Sequence, residues 1–118
     1  MKQANQTLAI SVRQPYAESI LRGEKVIEYR TTHTHVRGAV YIYAAKAKED
    51  APIFTAYQID ESEVEFGKII GTVEIVASEQ SLEFPEWHEW HLANPKRLEQ
   101  PLKPINQPLP VFWYPVFE

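Results

Sequence analysis

The densest concentration of chemically capable side chains lies in Gly23-Glu24-Lys25-Val26-Ile27-Glu28-Tyr29-Arg30. Strand alternation turns Glu28 and Arg30 to one face together with Val26, so two opposite charges stand beside a residue expected to look into the core. A buried charge persists only when it is paired and hydrogen-bonded. The same spacing also fits an ion pair on the surface, and spacing alone does not choose between the two. Lys25 sits in the turn that enters the strand, where alternation does not set its direction. Chemically, the group has two uses. Glu28 and Arg30 can read the polar edge of a planar ligand. Alternatively, Glu28 can activate water as a general base while Lys25 or Arg13 stabilises a developing oxyanion. Lys25 nearby would hold Glu28 ionised.

A second group of polar donors, Ser11-Val12-Arg13-Gln14-Pro15-Tyr16, falls at a strand-to-helix junction, where free N–H groups can meet an anion or a carbonyl. If the two segments pack together, Arg13, Gln14, Lys25, Glu28 and Arg30 converge, with Tyr16 or Tyr29 as a stacking surface for a base. Read alone, the second segment is a capped turn with a solvated arginine. The histidines fall in two pairs, His33-x-His35 and His88-x-x-His91. Imidazoles bind zinc, but His88-Glu89-Trp90-His91 lacks the His-Glu-x-x-His spacing. Nothing in the sequence brings the pairs together, so neither a metal nor another cofactor is expected. Trp87, Trp90 and Trp113 read as core or pocket wall.

These residues need elements to position them. Leu8–Val12 alternates as a first strand. Pro15 suits a first helical residue, and Tyr16–Arg22 continues as a short helix with Glu18 and Arg22 one turn apart. Gly23 ends it as a left-handed cap. Val26–Arg30 and Ala39–Ala45 read as strands, joined by a polar loop. Asp50 is placed to cap a helix over Ala51–Gln58 with Pro52 in its first turn; Asp60–Phe66 is turn-like or briefly helical. Lys68–Ala77 is a long strand in which Gly71 marks a bulge or bend. Trp87–Ala93 reads as a strand. Prolines at 95, 101, 104, 108 and 110 argue against a central strand anywhere in Asn94–Pro110. Val111–Tyr114 closes the series. Strands that do not alternate regularly with helices predict an α+β fold, a small mixed β-barrel with two or three short helices.

The 118 residues suit one domain over residues 8–118 preceded by a flexible tail over residues 1–7. The chain has no cysteine, which removes disulfides, thiolate metal sites and cysteine nucleophiles. No apolar run approaches a membrane span of about 20 residues, and the N-terminus lacks a signal-peptide core; the cytoplasm is the expected location. With 12 basic against 16 acidic residues the net charge is −4. A broad duplex-binding surface is therefore not expected, because every phosphate contact needs a Lys or Arg, whereas a small local basic site is compatible with this balance. The proline-rich stretch also admits use as a ligand for a partner domain.

The run SVRQPYAESILRGEKVIEYRT resembles the ASCH domain family, whose hallmark Gly-x-Lys-x-x-Glu-x-Arg is matched without a gap by Gly23, Lys25, Glu28 and Arg30. RGAVYIYAAK, IIGTVEIV and NPKRLEQPLKPINQPLPVFWY look like their counterparts in compact bacterial and phage members and the EOLA-like branch. The resemblance implies a PUA-like fold that recognises RNA or a modified, cytidine-like nucleoside in a cleft lined by the motif residues. Some relatives are amidohydrolases that remove acyl groups from the cytidine amine, and at least one is described as a ribonuclease. In the amidohydrolase branch a Lys, a Thr and a later Glu act together. Lys25 matches the Lys, but Glu28 stands at the Thr position, so a threonine nucleophile does not carry over. Glu74, Glu86 and Glu89 are the candidates for the later Glu.

Overall fold

Alternating apolar residues build one sheet, and bulges bend it. The computed structural model describes residues 6–118; of the expected tail, residues 1–5 lie outside the described residues. The elements are β1 (Ala9–Val12), α1 (Tyr16–Leu21), β2 (Ile27–Arg30), β3 (Gly38–Ala44), α2 (Ala51–Ala56), a 3-10 turn (Glu61–Glu63), β4 (Lys68–Gln80), β5 (His88–Leu102) and β6 (Phe112–Trp113). The strands lie in the order β2-β5-β4-β3-β1-β6. Among the described residues only the β1–β3 pair is parallel. Strands from opposite ends of that order touch. Trp90 on β5 stacks on Phe112 of β6, with ring centroids 5.4 Å apart and planes 12° from parallel. Arg30 on the edge strand β2 donates to the Ser11 carbonyl of β1 at 2.8 Å. The sheet therefore curls into an incompletely closed barrel, the α+β, PUA-like architecture expected.

Inside the curl, Ile10, Val12, Val40, Ile42, Val73, Ile75 and Trp90 form the core, joined by Ala17, Ile20 and Leu21 of α1. Each large apolar side chain buried there contributes about 1.5–3 kcal/mol. The opposite face of the same strands buries Ala9, Tyr43, Ile69 and Trp113.

Gly71 lies at the expected bend. Both ladders of β4 shift register between Ile69 and Gly71, and α1 sits directly on the glycine. A β-carbon at Gly71 would lie 2.5 Å from Leu21 Cδ2 and 2.5 Å from the Lys96 carbonyl oxygen. The leucine can turn away, whereas the backbone oxygen cannot. Gly71→Ala is accordingly expected to destabilise by about 1–3 kcal/mol, read as a lowered urea midpoint; an unchanged midpoint would mean that α1 lifts off the sheet freely.

Several expectations need correction. Asn94–Leu102 is strand despite its prolines, as the second half of β5. β2 pairs with β5 as far as His91, and the Leu92 N–H still donates to the Val26 carbonyl at 2.9 Å. Beyond Leu92, β5 has one ladder among the described residues, so a missing N–H on its other edge is tolerated. Pro95 falls where two β5 residues, Asn94 and Pro95, oppose one β4 residue, and Asn94 turns through φ 52°. Pro101 falls in a second register shift. Val26 does not look into the core: β2 begins at Ile27, and Val26 is 55% exposed. Pro15 precedes α1 as its N-cap residue. Asp50 occupies the N-cap of α2, but its side chain makes no capping hydrogen bond, and the helix stops at Ala56. Gln58, in the left-handed region at φ 57°, turns the chain away.

Candidate functional site

The bend between β1 and α1, the strand β2 and the proline-rich segment enclose a cleft of about 560 Å³. Arg13, Tyr16, Glu28 and Arg30 of the expected set line it, together with Ser11, Tyr43, Lys46 and the Gln107–Pro110 wall. Glu28 lies at the centre of the charged network. Its residue is only 6% exposed. One carboxylate oxygen accepts from Arg30 Nε at 2.7 Å, and the other lies 3.7 Å from Lys25 Nζ. The buried reading of the Glu28–Arg30 pair is thus the one the fold adopts. Arg30 completes its hydrogen bonding on Ser11 and lies over the Trp90 ring at 5.5 Å. The Trp90 ring is itself fixed by donation from Nε1 to the Thr32 carbonyl at 3.0 Å.

Lys25 stands behind the cleft rather than in its lining. Its ammonium donates to the Ile27 carbonyl at 2.8 Å and sits 5.4 and 5.5 Å from the ring centres of Tyr16 and Tyr29. Burial pushes its pKa below the ordinary lysine value, and the Glu28 carboxylate partly opposes that shift. Gln14 is also withdrawn. It is fully buried, its amide donates to the Glu65 carbonyl at 3.0 Å, and its side-chain oxygen accepts the Glu18 N–H at 2.9 Å. That oxygen satisfies a free amide of the first turn of α1, so Gln14 shapes the junction instead of facing a ligand. Glu18, in turn, holds Arg97 of β5 through two bonds of 3.0 and 2.7 Å and Arg22 at 2.9 Å. Burial alone would raise its carboxyl pKa, but the two guanidinium groups together bring it below the usual value.

Tyr16 presents its ring to the cleft, braced edge-on by Tyr57 at 5.2 Å. Burial and the nearby carboxylates Glu49 and Glu28 raise its phenol pKa, so the hydroxyl is a neutral donor at physiological pH. Tyr29, the other stacking candidate, is 44% exposed and outside the lining. Arg13 is more than half exposed and lies 3.6 Å from Glu49. Tyr43, Lys46 and the Gln107–Pro110 wall were not anticipated. The wall is held by Ser11, whose hydroxyl donates to the Leu109 carbonyl at 3.0 Å and accepts from Trp113 Nε1 at 3.1 Å. Asn106 adds bonds to Tyr114 and Val116. Nothing in the sequence points to this wall, since Ser11 reads there only as one of the polar donors before the first helix.

Glu28 is the one carboxylate lining the cleft among the described residues. None of Glu74, Glu86 and Glu89 reaches the cleft; Glu74 accepts from Asn94 at 3.1 Å on the β4–β5 ladder. The histidine pairs are not kept apart. His33 lies 4.7 Å from His35 and 6.0 Å from His88, ring centre to ring centre, because the loop after β2 folds over the start of β5. Trp90 and Trp113 are buried as expected, while Trp87 is 38% exposed.

A small curled barrel, with a cleft built at the turn before its first helix and on the strand after it, defines the class. The ASCH domain model matches residues 10–102, and the chain belongs to the ASCH domain family, a family associated with RNA binding. Comparison with curated proteins finds no match.

Proposed function

We propose that this ASCH domain, with residues 8–118 acting as one unit in the cytoplasm, binds a single-stranded RNA segment or a modified, cytidine-like nucleoside in the cleft. The observation that carries the reading is the lining itself. Three cations, Arg13, Arg30 and Lys46, and one carboxylate surround an aromatic cleft in a chain whose net charge is −4. Pockets of roughly 300–1,000 Å³ take small organic ligands, and a nucleoside falls in that class. Stacking on Tyr16 would contribute about 1–3 kcal/mol per base. Arg30 and Glu28 offer donor and acceptor to a base edge, and Arg13 and Lys46 suit phosphate. Among the described residues no helix is long and apolar enough to cross a membrane, and the cations are local, so a broad duplex surface is not part of this reading.

Deacylation of an acylated cytidine finds less support in the cleft. Both oxygens of Glu28 are already engaged by cations, and no second carboxylate lines the cleft among the described residues. The proline-rich stretch serves as a wall here, which weakens its use as a ligand for a partner domain.

The test is fluorescence anisotropy with short single-stranded RNAs carrying cytidine or acetylcytidine, accompanied by chromatography of the products. Tyr16→Ala is expected to weaken binding by about 5–150-fold. Arg13→Ala is expected to weaken it with a shallower salt dependence. No binding by the folded protein, or binding indifferent to both changes, would refute the proposal. Release of cytidine would replace it with the hydrolase reading.

A further inference from the structure

Away from the cleft, the outward face of the β4–β5 hairpin carries a second cluster. Glu79 and Glu89 face one another directly across the ladder. His91 is two residues beyond Glu89, and side chains two apart on a strand share a face, so Trp90 between them turns inward. Like charges directly opposed destabilise a strand pair, and neither carboxylate pairs with a lysine or arginine among the described residues. His91 Nε2 lies 3.6 Å from Glu79 Oε2 and 3.5 Å from Glu89 Oε1. The three donor atoms all lie within 4.8 Å of one another. A tetrahedral ion with bonds of about 2.1 Å holds its ligand atoms about 3.4 Å apart, close to both histidine–carboxylate separations. An independent feature points the same way. The His91 ring is one-third exposed at its side chain, yet Nε2 itself is shut off from solvent and has no hydrogen-bond partner. A shielded nitrogen aimed between two carboxylates that have no lysine or arginine partner among the described residues is an arrangement a cation completes.

We propose that Glu79, Glu89 and His91 bind a divalent transition-metal ion of the zinc type, with water in the remaining position. An imidazole nitrogen with two carboxylate oxygens suits zinc, cobalt, nickel or manganese better than the all-oxygen preference of magnesium and calcium. The location gives the ion a structural role. His91 is opposite Ile27, and Glu89 is opposite Tyr29, on β2. An ion there fastens β4 to β5 beside the strand whose other face carries Glu28 and Arg30.

Titration calorimetry of the untagged protein with zinc chloride tests the site, with cobalt chloride and visible absorption reporting the geometry. One ion per chain is expected, with a raised unfolding temperature in zinc. His91→Gln and Glu79→Gln should each weaken binding on the order of a hundredfold. Glu79 is two-thirds exposed, so its variant tests the site without disturbing the core. A His33→Gln, His35→Gln double variant should bind zinc as the parent does. Absence of binding near one equivalent, affinity retained in Glu79→Gln, or loss in the His33, His35 variant would each overturn the assignment.

Discussion

Replacing Glu28 with alanine should lower the unfolding free energy by about 3–5 kcal/mol, the usual penalty for removing one partner of a buried ion pair. The effect is large against a total of about 5–15 kcal/mol for a folded domain. It arises because the carboxylate is the shared counter-ion of Arg30 and Lys25, whose side chains are only 21% and 13% exposed. With it gone, two cations stay shielded from water without compensation. Urea denaturation reads the loss, and a second substitution identifies its cause. Adding Lys25→Met removes one of the stranded charges, so the double variant should recover part of the deficit, with a coupling of about 0.5–3 kcal/mol.

The pH dependence has a defined sign. The folded-state pKa of Lys25 lies below its ordinary value of 10.5, first because of burial, and loss of Glu28 lowers it further. The unfolded chain then binds more protons than the folded one across that interval, so stability rises with pH there. The deficit of Glu28→Ala should narrow as pH climbs through the depressed value towards 10.5. A loss below about 1 kcal/mol, flat with pH, would be the signature of an exposed pair and would mean that the charges reach water.

The second large effect is expected at Trp90. Trp90→Ala should cost about 3–5 kcal/mol, as for other buried aromatic truncations, because the ring is 1% exposed and closes the seam between β5 and β6 by stacking on Phe112. The consequence extends to the cleft. Arg30 lies against the same ring, so ligand affinity should fall together with stability. Trp90→Phe separates the two roles. It keeps a ring in the seam but removes the donor to the carbonyl of Thr32, an exposed residue, at about 0.5–1.5 kcal/mol for one hydrogen bond. Thermal unfolding and RNA anisotropy on both variants check this. Undiminished affinity in a folded Trp90→Ala protein would show that Arg30 does not need its platform.

Much of the site was legible from short-range pattern. Glu28 and Arg30 are two apart on a β-prone run, so a shared face follows from the pleat, and Gly23 at φ 77° ends α1 where its lack of a side chain permits that turn. The Glu18–Arg22 pair follows from helical spacing. Gln14 was grouped correctly with the junction, but its direction depended on Glu65, 51 residues away. The proline rule failed over Asn94–Leu102 because it concerns strands paired on both sides. Which edge of β5 lies open is settled by where β2 stops.

What the sequence determined by itself is therefore what neighbouring residues impose on one another: the strand and helix periods, the bend at Gly71, the motif face of β2 and the acidic balance that disfavours a broad nucleic-acid surface. Tertiary structure alone decided that Glu28 is buried between two cations and that the Gln107–Pro110 segment walls the cleft. It also set Glu79, Glu89 and His91 together while keeping Gln14 and Lys25 behind the lining. The physical reason is that curling the sheet joins segments far apart in the chain, as it does Ser11 and Leu109, and that even within the β4–β5 hairpin the facing residues follow from register; register and core packing are not encoded in any local run.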